Sequence, residues 1–559
     1  MKMNKKIVLS AMAIAVLTSC SSKLGQLSSD NFKVNPNPLV AEAGQVDATI
    51  NGMFPEKYMK KKAQVTVTPE LRFQKNGVEQ AVKGQSASFQ GEKVLGNNQT
   101  INYQIGGRYT MKTSFPYEAA MQKSELYLTF DAKVGKKQVE VPAVKVADGV
   151  VATSELYRRT LASATPNMAP DAFQRVVEQK QQANIKFLIQ QAELRKSELK
   201  NNSVQEFVQM LQRISADREG LILNNVEVSA YASPDGGVAL NEKLASKRQQ
   251  NAEGYVQKQM KQAKVDGDIE ANYTAQDWEG FQELVKASNI QDKDVILRVL
   301  SMYQDPQERE QQIKNMSAGF KELADGILPE LRRARLTINY ETIGRDDDQI
   351  FAQYKSDPSK LSLEELLYAA SIAETDAEQT DILMTTARLY PQDSRITNNL
   401  AAQAYAQGRY DDAKRYLATA QTLGKVCPET NANLGLLALQ AGDVQQAESY
   451  IGQAAGAKGL AETLGNLHLA QGNYALAEQD FKGVNSNSAA LAQILNKNYA
   501  QAAQTLKNVK NADGMTDYLQ AIVNARQGNS DAAASFLRSA LQKDPSLKEY
   551  AANDLEFKK

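Results

Sequence analysis

The chain has 559 residues, of which 42% are hydrophobic and 23% charged, with 65 basic side chains against 65 acidic ones and one histidine. Such a length exceeds what one hydrophobic core organises and sets an expectation of roughly three or four domains. The composition argues against global disorder, the zero net charge against nucleic-acid binding, and one histidine with two cysteines against a zinc site, so no metal and no cofactor are expected.

Lys2, Lys5 and Lys6 precede an apolar run from Ile7 to Leu17, followed by Thr18, Ser19 and Cys20. This is the layout of a secretory signal peptide over residues 1–19, too short for a permanent span, which needs about 20 apolar residues. Leu17 to Cys20 resembles the bacterial lipobox. That resemblance implies cleavage before Cys20 and acylation of its thiol and new amino group. More than one acyl chain, at about 0.8 kcal/mol per buried methylene, then anchors the mature protein to a membrane. Cleavage removes three lysines and no acid, leaving a net charge of −3. With Cys20 acylated, Cys427 has no disulfide partner and reads as a semi-buried helix-end residue.

Residues 20–45, with Asn-Pro-Asn-Pro at Asn35 to Pro38, have the composition of an extended, lipid-anchored linker. Residues 46–155 alternate with a period of two in Ala63 to Phe73, Ile101 to Tyr109, Ser124 to Val134 and Gln138 to Val146, and predict a β-sandwich of roughly seven strands. The next region mixes elements: a strand at Ala183 to Gln191, a helix at Val204 to Ser215, a strand at Leu221 to Tyr231, a helix at Ala239 to Met260, and a helix-to-strand passage at Ile327 to Tyr340. Residues 183–342 therefore predict an α/β sandwich, with extra helical sequence between Asp277 and Met316.

Within that region, Asn241, Leu244, Ala245 and Arg248 follow Gly236 in a spacing that resembles the OmpA C-terminal domain family, and Leu331 to Ile338 resembles the family's closing helix-to-strand junction. The resemblance implies a peptidoglycan contact, in which an Asp pairs with the ammonium of diaminopimelate and an Arg clamps its carboxylate. Here Ser233 stands where the family has Asp, so the ammonium partner would be Asp235, with Arg248 on the carboxylate. The expected peptidoglycan-binding set is Ser233, Asp235, Asn241 and Arg248.

From about residue 360 to 559 the chain becomes Ala-rich and repetitive. Gly408, Tyr410 and Ala413 recur as Gly442 with Ala447, as Gly472, Tyr474 and Ala477, and as Gly528 with Ala533. Tyr499 and Ala502 follow Lys497 in the glycine place. The alanines lie 34, 30, 25 and 31 residues apart, the glycine turning the chain and the alanine admitting the next helix. The pattern resembles the tetratricopeptide repeat family and implies an all-α solenoid whose inner surface takes protein partners.

No nucleophile elbow, phosphate loop or zinc-protease motif occurs, and no catalytic residue is assigned. Glu364 and Glu365 read as solvated, and His468 as a packing or surface residue. Taken together the chain is expected to be multidomain, with an N-terminal β-sandwich, a central OmpA-like α/β sandwich and a C-terminal tetratricopeptide solenoid. This combination resembles envelope lipoproteins of the Bacteroidota type. It implies a non-enzymatic scaffold, lipid-anchored in the outer membrane and facing the periplasm; a surface-exposed adhesion or fimbria-accessory lipoprotein is the alternative.

Overall fold

The computed structural model describes residues 24–290, 292–315, 321–423 and 425–558; the signal segment and Cys20 lie outside the described residues. Two units are separated in it. One joins the chain up to Pro170 with Ala373–Lys559, and the other is Asp171–Ile372.

The first unit begins with strands. β1 (Phe32–Asn35), β2 (Leu39–Glu42) and β3 (Gln45–Phe54) are followed by β4 (Ala63–Lys75), β5 (Val78–Lys83), β6 (Ala87–Gly91), β7 (Gln99–Ile101), β8 (Gly107–Pro116), β9 (Ser124–Val134), β10 (Lys137–Asp148) and β11 (Val150–Val151). One sheet runs β1-β3-β2-β11 with β8 on β3; the other runs β10-β9-β4-β6-β7 with β5 on β4. Alternate residues of β3, Val46, Ala48 and Ile50, point inward beside Val65, Val67 and Leu71 of β4 and Leu126 and Leu128 of β9, so both sheets share one core.

Two expectations are corrected here. Residues 24–45 are not a linker: Leu24 and Leu27 are buried, and β1 and β2 pair with β3. The prolines that suggested a tether occupy the short reversal between β1 and β2, where no ladder bond is needed. Ile101 to Tyr109 is not one strand either. Asn102 Oδ1 accepts from the N–H groups of Gln104 and Ile105, and that turn separates β7 from β8.

The rest of this unit is helical. Among the described residues five helix pairs follow one another: Ser394–Ala406 with Tyr410–Thr422, Pro428–Ala441 with Val444–Ile451, Leu460–Ala470 with Tyr474–Asp480, Asn487–Leu495 with Tyr499–Lys507, and Gly514–Arg526 with Ser530–Lys543. The 25-residue interval between Ala477 and Ala502 is absorbed by short helices of seven and nine residues.

In the second unit, β12 (Val176–Lys186), β13 (Leu221–Tyr231), β14 (Asp268–Thr274) and β15 (Arg333–Ile343) form a sheet in the order β12-β15-β13-β14, with β13 and β14 parallel. Helices Asn202–Ala216 and Val238–Ala263 bury Phe207, Leu211, Ala252 and Val256 against Val226, Val228, Leu336 and Ile338 on one face. Between β14 and β15 a helical insertion builds its own small core around Phe281, Val285, Ile296 and Leu331.

Residues 360–372, expected to open the solenoid, fall in this second unit. Phe173 packs tilted against Tyr368 at 4.6 Å between ring centroids, and Arg345 pairs with Glu365 at 2.8 Å. Glu365 is thus buried rather than solvated. It also closes a capping box with Ser362, while Glu364 accepts from the Ala172 N–H.

Candidate functional site

The four residues expected to hold a peptidoglycan stem come together around the loop after β13. Asn241 donates from Nδ2 to the carbonyls of Ser233 (2.8 Å) and Gly236 (2.9 Å), pinning that loop to the start of the long helix. Ser233 Oγ and Asp235 Oδ2 each accept from Arg332, at 3.2 Å. Arg332, which the sequence reading left without a role, therefore occupies the carboxylate proposed for an ammonium ligand. Its neighbour Arg333 pairs with Asp277 at 2.9 Å, both buried, and Asp277 also caps the following helix.

Arg248 is fully buried. Its Nε donates to the Gln191 carbonyl (3.0 Å), Nη1 to Tyr231 (2.8 Å) and Nη2 to Leu188 (3.2 Å), and the guanidinium lies 5.0 Å from the Phe187 ring centre. Burial and nearby Arg332 pull its pKa down to about 10. Three of its five N–H groups are thus given to the chain's own backbone. Beside the loop, Pro234 and Asp235 meet Trp278, Phe281 and Leu328 of the insertion around a void of only about 10 Å³. In this arrangement the cluster ties loop, helix and insertion together.

The repeat signature occupies equivalent places in successive pairs. Gly408, Gly442, Gly472 and Gly528 each turn the corner between paired helices at positive φ, and Lys497 does so at φ 66°. The alanines Ala413, Ala447, Ala477, Ala502 and Ala533 are buried, and Tyr410, Tyr474 and Tyr499 pack against the same core. Within a pair the helices approach closely: a Cβ on Gly435 would meet Ile451 at 2.4 Å, and one on Gly465 would meet the Phe481 ring at 2.8 Å.

The inner face of the first helices carries a row of buried polar residues, including Asn398, Asn399, Asn433, Thr463, Asn487 and Ser488. These engage the chain's own residues 156–169. Asn433 accepts the Asn167 N–H (2.7 Å) and donates to its carbonyl (2.8 Å), which also accepts from Asn398 (3.0 Å). Asn399 holds both the N–H (2.7 Å) and the carbonyl (3.1 Å) of Ala169. Asn167 Nδ2 donates to Thr463 (2.9 Å), Tyr405 Oη to the Leu161 carbonyl (2.9 Å), and Ser488 meets Thr160 at 2.9 Å. Leu156, Tyr157, Leu161 and Ala164 belong to the repeat core.

Residues 398–460 match the tetratricopeptide repeat family model. Among solved structures, a tetratricopeptide repeat protein from Parabacteroides merdae is 14% identical with a TM-score of 0.27, the match covering 44% of this chain and 98% of that one. Pseudomonas aeruginosa pilF is 17% identical at 0.21, over 44% and 94%. Yeast Tom70 is 12% identical at 0.23, over 64% and 82%. No curated protein matches the sequence.

Elsewhere in the helical array, His468 Nδ1 lies 2.6 Å from Asp480 Oδ2 within its own pair. Cys427 precedes the Pro428–Ala441 helix, its Sγ 3.2 Å from Thr430 Oγ1, and burial pushes the thiol pKa up. Among the described residues there is no group of His, Cys, Asp and Glu placed to hold a metal ion, and no helix long and apolar enough to cross a membrane. Sequence reasoning missed the asparagines of the inner face, although Asn398, Asn433 and Asn466 recur at 35 and 33 residues, close to the repeat period.

Proposed function

We propose that the protein is a non-enzymatic lipoprotein of the outer membrane that serves as an envelope scaffold, held by acyl chains on Cys20 and recruiting protein partners through its tetratricopeptide array. The observation that carries this reading is the run of five helix pairs in one register, an architecture that offers extended surface. The lipobox-like stretch supports the anchor. Ser21, with no acidic run over residues 21–25, supports a periplasm-facing orientation.

The alternating strands and helices of residues 176–343 support the OmpA-like part of the reading. Wall contact is its weaker element, because Asp235 and Arg248 are already partnered within the chain. Two measurements test the proposal. Mass spectrometry of the mature amino terminus should find acylated Cys20, and an unmodified terminus overturns the anchor. Crosslinking in native membranes, read by purification of the full chain, should return a defined protein partner joined to residues 373–559; crosslinks confined to other regions overturn the recruiting role. For the wall, Arg248→Ala should sediment with sacculi no differently from the parent. A loss of sedimentation in a folded variant would restore the stem-peptide site.

A further inference from the structure

The repeat array carries a built binding site, and the chain fills it. Residues 156–169 leave the β-rich module after β11, run as short helical turns to Ser163 and then in irregular backbone, and end two residues before the second unit begins. At Asn167 and Ala169 both backbone groups are satisfied by side-chain amides of the first helices, a pairing that reads peptide backbone rather than side-chain identity. Selectivity comes from two further contacts. Leu161 is completely buried in the repeat core, and Asn167 Nδ2 donates to Thr463 Oγ1 at 2.9 Å.

We propose that the inner face of the array is a clamp for polypeptide that enters as a short helical turn bearing a leucine and runs on in irregular backbone to an asparagine six residues later, and that the protein closes this clamp on its own residues 156–169. The resting chain then excludes other polypeptides of the same chemistry from the groove. This rests on the reading of the array as a protein-recruiting surface and adds that the surface is self-occupied.

The segment is tethered at both ends, which presents it to the groove at an effective concentration of order millimolar. A free peptide must displace it, and its apparent affinity falls by the fraction of time the groove is open. Releasing the tethered segment should therefore tighten binding of an added peptide without any change to the groove.

The test uses the full chain and a fluorescein-labelled synthetic peptide of residues 154–170, read by anisotropy. The parent should leave the peptide free at micromolar protein. Leu161→Asp, which cannot bury its charge in the repeat core, should bind the peptide at least ~20-fold tighter than the parent. Adding Asn399→Ala and Asn433→Ala to that variant should abolish the gain. Should Leu161→Asp fail to fold by circular dichroism, Ala169→Pro, which removes the N–H that Asn399 accepts, together with Asn167→Ala gives a milder release with the same expectation. Equal binding by parent and released variant overturns self-occupancy; a folded released variant that leaves the peptide free overturns the clamp. The peptide reports the groove alone, so either failure is distinct from failure of the scaffold reading, which is read by crosslinking in native membranes.

Discussion

Asn433 is the centre of the inner-face ladder, and replacing it with alanine has a calculable local effect. The Asn167 carbonyl keeps its bond from Asn398, whereas the Asn167 N–H and Asn398 Oδ1 lose their partner in a buried setting. Each stranded buried polar group costs about 1–3 kcal/mol, so the pair should lower the free energy of opening residues 163–170 by about 2–6 kcal/mol. Amide hydrogen exchange followed by mass spectrometry reads this directly, because exchange of protected amides tracks the opening equilibrium. Peptides covering residues 163–170 should exchange roughly 30- to 20,000-fold faster in the variant, at about tenfold per 1.4 kcal/mol, while those from β4 and β9 stay unchanged. Unchanged exchange in residues 163–170 would refute the argument that the asparagine ladder holds this segment.

Other substitutions probe different links. Gly465→Ala places a methyl group 2.8 Å from the Phe481 ring and should destabilise the first unit by about 1–3 kcal/mol, lowering its thermal midpoint. Lys497→Gly removes a side chain from left-handed backbone and should stabilise by roughly 0.5–1 kcal/mol net of the entropy gained by the unfolded chain, visible as a higher urea midpoint. Burial, with Glu556 adding to it, lifts the Asp554 carboxyl to about 6, so its contribution to stability is full below the unfolded value near 4 and is lost as pH rises through 6. Between pH 7 and pH 5 the first unit should gain about 1 kcal/mol from this group, and Asp554→Asn should flatten that slope in urea titrations at the two pH values.

The helical pairs were legible because their constraints are local: a residue that turns left-handed, then an alanine five positions on where helices touch. Even the substitution of lysine at 497 left the remaining signature readable, and the chain does take the left-handed turn there. Strands such as β4, β9 and β13 were legible through alternation. Residues 24–45 were misread because four residues of Asn and Pro outweighed the alternation of Phe32 with Val34 and of Leu39 with Ala41. β14 escaped because only Ile269 and Ala271 of its seven residues face the core. The spacing around Arg248 pointed to a ligand, but its partners are backbone carbonyls 17 to 60 residues away that no side-chain pattern announces. For the same reason the role of residues 156–169 was invisible: their partners lie more than 200 residues downstream.

That separation bears on how the protein is made. Helical repeats ordinarily assemble from neighbours, which keeps their search short. Here the array is completed by a stretch that leaves the ribosome 230 to 266 residues before the asparagines that grasp it. Closing so long a loop costs only slightly more than closing a short one, since the penalty grows with the logarithm of length. The delay is the greater hazard: Leu156, Tyr157 and Leu161 must stay in solution, unshielded, until the repeats exist to receive them.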